Sequence, residues 1–410
     1  MRKILTAKAA AGTVQAVCSK SFLHRALICA ALCEGTTAIR CGEVGEDILA
    51  TADCLTALGA SITHTPEGFT VRGGLHSKTA VLFCRESGST LRFLLPVAAA
   101  LGIFTEFVCE KSLLARPLEP LLSALETHGC RFTKTSAGLR CEGQLLPGDY
   151  RLDGSISSQY LTGLLLALPL LPGNSRIILT EPLCSAPYVR LTRAVQALFH
   201  ISTSDDFFIR GKQCYQSIPT LIAEGDWSNA APFLCAGAFS EEGVTVTGLS
   251  ADSVQGDRAI TELLSRFGAE VCVSDTAVTV RRGALHGIAA DASDIPDLVP
   301  LLALLGACAE GETVISGAGR LRSKESDRLS ATAQVLGSLG ACVTVLPDGL
   351  KIVGNGHLTG GTVSSFGDHR IAMLAAVASL VCDFPVCIDG AEAVSKSYPS
   401  FFEDFLRICR

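Results

Sequence analysis

Groups of hydroxyls and cations recur along this sequence, each just ahead of an apolar run. Ser19-Lys20-Ser21 with Arg25 opens one such run, and Ser87-Gly88-Ser89-Thr90-Leu91-Arg92 opens a second. Ser21 and Arg25 stand four apart and so share a helix face. Alone they read as an ordinary cap with a surface arginine; the same arrangement at Ser89 and Arg92 weakens that reading. Ser157-Ser158-Gln159 offers two hydroxyls and an amide at a third start. That group suits a phosphate cradle and a plain N-cap equally well.

The densest charge run, Arg322-Ser323-Lys324-Glu325-Ser326-Asp327-Arg328, follows the glycine-rich turn Gly317–Gly319. Charge runs are usually solvated faces, but this one interrupts an apolar chain. A carboxyl at Glu325, between Lys324 and Arg328, would stay ionised or exchange a proton in a cationic pocket. Gly367-Asp368-His369-Arg370 begins a wholly apolar helix. It is either a capped, exposed turn or a pair of side chains aimed into a site. Asp297 precedes the apolar run Leu298–Ala309 and is either an N-cap or a buried catalytic carboxylate. Arg116 and Lys396, each near a proline, read alone as surface cations. Many cations, several hydroxyls and two carboxylates suit two polyanionic small substrates joined or cleaved by acid–base chemistry.

Other chemistries lose support. There is no G-x-x-x-x-G-K-[ST], no strand-linked G-x-G-x-x-G and no G-x-S-x-G, which disfavours kinase, dehydrogenase and esterase readings. The 18 cysteines stand singly in apolar stretches, such as Cys29, Cys33, Cys235 and Cys308, without a C-x-x-C pair. They read as small core residues, and neither a metal site nor a cofactor is expected. A formal net charge of −6 argues against a nucleic-acid partner. The apolar runs Leu161–Leu171 and Leu298–Ala309 fall short of a membrane span. Met1–Val17 carries Arg2, Lys3 and Lys8 with no continuous apolar stretch, so a cytoplasmic protein is expected, working as a monomer. With 48% hydrophobic and 18% charged residues, the 410-residue chain can bury more than one core.

Those residues need elements to hold them, and a repeat supplies them. An apolar helix ending in a turn residue, then a hairpin, occurs at Leu55–Gly73, Leu121–Gly143, Val195–Gly211, Ile260–Gly283 and Val335–Gly354. The helix ends Gly59, Gly129, His200, Gly268 and Gly340 step by 70, 71, 68 and 72 residues. Six polar clusters with the same period precede apolar helices: the three above, Asp226-Trp227-Ser228-Asn229, Asp294–Asp297 and Gly367–His369. Six starts imply six α/β units. Five hairpins follow five units, and the sixth ends in a helix at Pro399–Arg410. Strands at Lys3–Lys8 and Thr13–Val17 then read as the missing hairpin, packed with the last unit. The expected domains are 1–17 plus 225–410, and an inserted 18–224, hinged near residues 17 and 225. If the buried helices run parallel, their N-termini form an anion trap.

The strings S-K-S-x-x-x-R at 19–25, S-G-S-T-L-R at 87–92, S-I-S-S-Q-Y at 155–160, K-E-S-D-R at 324–328 and G-D-H-R at 367–370, with the Lys396 region, lie in order across the chain. In these the chain resembles the EPSP synthase family, the 3-phosphoshikimate 1-carboxyvinyltransferases. The resemblance implies a two-domain inside-out α/β barrel, each domain built of three βαβαββ-type units with buried parallel helices. It implies transfer of the enolpyruvyl group of phosphoenolpyruvate to the 5-hydroxyl of shikimate 3-phosphate, releasing phosphate, with no cofactor.

By the same resemblance Lys20, Ser21, Arg25, Ser157, Ser158, Gln159, Ser185 and Tyr188 would hold shikimate 3-phosphate. Asp297 and Lys324 would address its reacting hydroxyl. Lys20, Gly88, Arg116, Gln159, Arg328, Arg370 and Lys396 would hold phosphoenolpyruvate, with His369 adjacent. Asp297 and Glu325 would exchange the protons, with Lys20 and His369 also in the catalytic set. Glu86 and Arg320 stand where the family commonly has amides. The related UDP-N-acetylglucosamine enolpyruvyl transferases carry a reactive cysteine five residues before the arginine of an A-R-P string. Here Lys111 takes that place ahead of Ala115-Arg116-Pro117. A non-catalytic scaffold on the same repeats is the remaining alternative.

Overall fold

In a computed structural model, which describes residues 1–6 and 9–410, helices begin at all six polar clusters. Four start by side-chain capping. Ser87 Oγ accepts the Thr90 N–H at 3.3 Å, and Ser157 Oγ the Gln159 N–H at 3.3 Å. Asp226 Oδ1 accepts the Asn229 N–H at 2.8 Å, and Asp368 Oδ1 the Arg370 N–H at 2.9 Å. Each bond satisfies one of the N–H groups that a helix start leaves without a partner. The six helices are Lys20–Ala31, Gly88–Ala100, Ser158–Ala167, Trp227–Ala238, Val299–Cys308 and His369–Ala378. They are apolar around nearly their whole circumference and correspondingly buried. Asp297 does not cap: it sits in a single 3₁₀ turn, Pro296–Leu298, ahead of the Val299 helix.

The chain divides into two compact units, Met1–Ser19 with Glu224–Arg410, and Lys20–Ala223. Each contains three sheets, two of four strands and one of three. The four larger sheets share one plan. In the sheet of Thr79–Arg85, Phe104–Cys109, Gly138–Gly143 and Cys130–Lys134, the first two strands pair parallel and the rest form an antiparallel hairpin. Ala289–Asp291, Glu310–Ser316, Gly349–Asn355 and Cys342–Leu346 repeat that order in the other unit. A parallel pair requires a crossover, and in these two sheets the Gly88–Ala100 and Val299–Cys308 helices supply it.

At both chain crossings a strand stays behind. Gly12–Gln15 pairs parallel with Val244–Thr247, although the chain then leaves for the inserted unit. Thr220–Ile222 pairs parallel with Thr36–Arg40 before the chain returns. Each unit is thus tied by backbone hydrogen bonds to the segment entering or leaving it.

Two hairpin expectations are corrected. Phe207–Gly211 forms no hairpin: only Phe208–Ile209 is strand, paired with Ser175–Arg176. Asp205, Asp206, Phe207 and Lys212 crowd that segment with charge and left-handed backbone, leaving little regular edge to extend. The N-terminal strands also do not pair with each other. Arg2–Leu5 runs antiparallel to Val386–Asp389 in the last sheet, while Gly12–Gln15 joins another sheet. Of the first expected strand, Ala7 and Lys8 lie outside the described residues. Among the described residues no disulfide links the cysteines; Cys29, Cys33 and Cys235 are buried, Cys308 is half-buried, and Cys214, Cys272 and Cys342 are exposed. Among the described residues no helix is long and apolar enough to cross a membrane.

Candidate active site

In the inserted unit, Arg25 is 3% exposed, and among the described residues its hydrogen-bond partners are all neutral. Its Nε donates to Thr192 Oγ1 at 2.8 Å, and Nη1 to the Ser21 carbonyl at 2.6 Å. Nη2 donates to Thr162 Oγ1 at 3.3 Å and the Tyr188 carbonyl at 3.1 Å. The guanidinium also lies 5.1 Å from the Phe93 ring centre. Burial lowers its proton affinity, to about 10, only partly opposed by Tyr188 and Cys29. A guanidinium stays charged in proteins, so this is a cation held without a counter-charge. Tyr188 and Ser185 belong to the Ala186–Leu198 helix and its start. Ser185 has a left-handed backbone, φ 58°, with no side-chain cap. A non-glycine residue there is strained unless its surroundings impose it.

A second group forms at the next two helix starts. Arg92 Nη1 donates to Gln159 Oε1 at 2.6 Å, and Nη2 to the Pro117 carbonyl at 3.1 Å. Gln159 Nε2 donates to Ser89 Oγ at 3.0 Å. Gly88 lies under both arginines: a Cβ there would come within 3.0 Å of Arg92 Nη1 and 3.4 Å of Arg116 Nη1. Gly163 permits this packing, because a Cβ on it would meet the Arg92 carbonyl at 2.3 Å. Thr162 falls one turn after Ser158 and Gln159, so one helix reaches both groups. Lys20 pairs with Asp47 at 2.9 Å.

The discontinuous unit is built differently. Arg328, 1% exposed, is surrounded by carboxylates. Its Nε reaches Asp368 Oδ2 at 2.9 Å, Nη1 reaches Asp297 Oδ1 at 2.9 Å, and Nη2 reaches Glu325 Oε2 at 2.7 Å. Arg370 Nη2 takes the other Asp297 oxygen at 3.0 Å, and Nη1 binds the Ser228 carbonyl at 2.8 Å and Asn229 Oδ1 at 3.1 Å. Burial alone would push the Asp297 carboxyl up. The guanidiniums of Arg370 and Arg328 and the Lys324 ammonium outweigh it and hold the group well below the usual carboxylate range. Burial pushes Lys324 down to about 8, against the opposing pull of Asp297 and Glu325. Lys396 Nζ donates to the Gly367 carbonyl at 2.7 Å. His369 is 2% exposed, its Nδ1 3.8 Å from Asp368 Oδ1.

Of the expected residues, Lys20, Ser21, Arg25, Gly88, Arg116, Ser157, Ser158, Gln159, Ser185 and Tyr188 lie in the inserted unit. Asp297, Lys324, Glu325, Arg328, His369, Arg370 and Lys396 lie in the discontinuous one. The charge run is no solvated face throughout: Arg322 is exposed, but Arg328 is buried. Three partners carry no clear mark in the sequence: Asp47 has no local signal, Asp368 reads as a cap, and Arg92 repeats the Ser21–Arg25 spacing without pointing to a site. Glu86 accepts the Ser112 hydroxyl, and Arg320 binds the Ser293 carbonyl.

The model of the EPSP synthase family, 3-phosphoshikimate 1-carboxyvinyltransferase, matches residues 5–405. The chain belongs to the EPSP synthase family. A 3-phosphoshikimate 1-carboxyvinyltransferase of Clostridium kluyveri is 42% identical over 403 residues, 96% of this chain and 94% of that protein. One of Methanocorpusculum labreanum is 37% identical, covering 100% of this chain and 98% of its own length. An EPSP synthase structure from Acinetobacter baumannii matches with a TM-score of 0.80 at 27% identity, covering 100% of this chain and 98% of the other. The enolpyruvyl transferase NikO from Streptomyces tendae, at a TM-score of 0.81, 21% identity and 99% and 97% coverage, shares the mixed α/β fold.

Proposed function

We propose that this chain transfers the enolpyruvyl group of phosphoenolpyruvate to the 5-hydroxyl of shikimate 3-phosphate, giving 5-enolpyruvylshikimate 3-phosphate and phosphate. The observation that carries the reading is Arg25, a buried cation whose partners are all neutral. A phosphate at that helix start would supply the missing charge. Ser21, Ser157, Ser158, Gln159, Ser185, Tyr188 and Lys20 would complete that cradle. Gly88, Arg116, Gln159, Arg328, Arg370, Lys396 and Lys20 would hold phosphoenolpyruvate. The EPSP synthase name on relatives 37–42% identical supports the same substrates.

The carboxylates fit the chemistry. Protonating the methylene carbon of phosphoenolpyruvate builds positive charge on its neighbour, which the hydroxyl attacks. The tetrahedral adduct then expels phosphate. One group must donate a proton and another accept one, then reverse. Asp297 is ionised because Arg328 and Arg370 face it. An incoming anion would share those guanidiniums and raise the proton affinity of Asp297 as the hydroxyl arrives. Glu325, tied to Arg328, would serve as the second proton carrier, and Lys324, near neutrality, would address the hydroxyl. His369 and Lys20 would orient the developing charge.

The finer architecture proposed with this function is an inside-out α/β barrel in each domain, its buried helices parallel. The domain containing 225–410 and the N-terminal strands would clamp phosphoenolpyruvate and carry the acid–base pair. The inserted domain would bind shikimate 3-phosphate. The two chain crossings would act as the hinge of a closing movement that excludes water. We place the enzyme in the cytoplasm as a monomer, its 18 cysteines without a disulfide among the described residues fitting a reducing compartment.

Phosphate release should require both substrates and no added cofactor. Release with either substrate omitted, or none with both, overturns the assignment. UDP-N-acetylglucosamine as acceptor tests the sister reaction, which Lys111 in place of the reactive cysteine disfavours.

A further inference from the structure

Asp257 is a buried carboxylate that the reaction above does not use. It sits in the single turn Gly256–Ala259 and is 2% exposed. One oxygen accepts the Ser228 hydroxyl. The other, Oδ1, is buried with no hydrogen-bond partner among the described residues. Ser228 in turn gives its carbonyl to Arg370 Nη1 at 2.8 Å, and Arg370 Nη2 holds Asp297 at 3.0 Å. Asp257 is therefore joined through one residue to the guanidinium that faces the proposed phosphoenolpyruvate site.

The charges around it are unbalanced. The negative charges of Asp297, on the Pro296 turn, and Asp226, at the Trp227 helix cap, act on Asp257, opposed by the positive charge of Arg370. The charge of Arg328 acts on Arg370, and that of Asp226 on Glu224. The other charges on its own element and the next, Arg258, Glu262 and Arg266, are exposed to solvent. Arg370 thus acts on three carboxylates; Asp297 is bound by Arg328 as well, and of the three Asp257 leaves a buried oxygen orphaned. A buried orphan oxygen costs less on a neutral acid than on an anion.

We propose that Asp257 takes up the proton that accompanies anion binding at Arg370, and so positions that guanidinium and sets how tightly the anionic substrate is held. The inference rests on the proposed placement of phosphoenolpyruvate. When the anion arrives it draws on the positive charge of Arg370 and adds negative charge of its own. Both changes favour the protonated acid. By linkage, the anion binds better to the enzyme whose Asp257 is protonated. Burial and the charge of Asp297 already push this carboxyl up to about 7, against the opposing Ser228 hydrogen bond and Arg370. The sign follows: affinity is full below that pH and declines as pH rises through it.

The test compares KM for phosphoenolpyruvate between pH 6 and 8.5 in the intact enzyme, Asp257→Asn and Ser228→Ala. Substrate ionisation is common to all three. Asn can still accept the Ser228 hydroxyl but cannot titrate. Wild-type KM should rise about five- to tenfold more across the range than that of Asp257→Asn, while kcat keeps a common profile. Ser228→Ala removes a bond that favours the ionised form, so its rise should move to higher pH. Superimposable KM profiles in wild type and whichever variants fold would overturn the inference. Calorimetric titration with inorganic phosphate, in two buffers of different ionisation enthalpy at pH 7.5, reads proton uptake without turnover. Uptake by wild type and not by Asp257→Asn supports the inference even if phosphate release fails; equal uptake overturns it.

Discussion

The two units solve the problem of a buried arginine in opposite ways. Arg25 in the inserted unit is fixed by two threonine hydroxyls and two carbonyls, and its charge is left uncompensated. Arg328 in the discontinuous unit is fixed by Asp297, Glu325 and Asp368, and its charge is more than compensated. Neutral acceptors orient a cation without spending its charge, which would suit holding a substrate phosphate that takes no part in the bond changes. Carboxylates around a cation keep the resting site neutralised and place titratable groups where protons must move. On the proposed function the first unit would bind, and the second would bind and react.

The strongest break in that comparison is Glu325→Gln. The amide keeps the size and a hydrogen-bond acceptor for Arg328, which retains Asp297 and Asp368. Binding of both substrates should persist, while kcat falls about 10²–10⁴-fold, the usual worth of a positioned proton carrier. Steady-state phosphate release with equilibrium binding checks it; near-normal turnover would refute the acid–base role.

Arg25→Lys tests the other side. An ammonium cannot span Thr192, Thr162 and two carbonyls as the planar fork does. KM for shikimate 3-phosphate should rise about 10–100-fold with a smaller change in kcat. The melting rise caused by that ligand, which binds only the folded chain, should shrink in parallel. An unchanged KM would mean that the uncompensated charge is not the phosphate site.

How much of this was legible beforehand depended on the range of the interaction. Helix starts are local, so Ser87, Ser157, Asp226 and Asp368 announced theirs by residue type. The seventy-residue period carried the helices and four of the hairpins, because hydrophobic spacing and turn glycines are local too. The pairing of Gly12–Gln15 with Val244–Thr247, and of Thr220–Ile222 with Thr36–Arg40, was not legible, since each joins strands far apart in the chain. Asp297 stood open between cap and carboxylate, and only its two guanidinium partners, 31 and 73 residues on, decide it. Lys20 with Asp47, and Asp257 with Ser228, were hidden for the same reason. The left-handed Ser185 has no sequence mark, because nothing about serine favours that conformation.

The smallest expected effect comes from Gly88→Ala, and it sharpens the comparison within the inserted unit. A methyl there would stand 3.0 Å from Arg92 Nη1, 3.4 Å from Arg116 Nη1 and 3.6 Å from Gln159 Oε1. The backbone is helical, so no left-handed strain is added. The crowding falls on the ends of two flexible side chains, which can yield by a few tenths of an ångström. KM for phosphoenolpyruvate should therefore rise only about three- to tenfold. KM for shikimate 3-phosphate should hold, because Arg25 takes its bonds from Ser21, Thr162, Tyr188 and Thr192 and none from this group. Kinetics with each substrate varied in turn separates the two. Parallel loss of both would mean that the Arg25 and Arg92 groups act as one site.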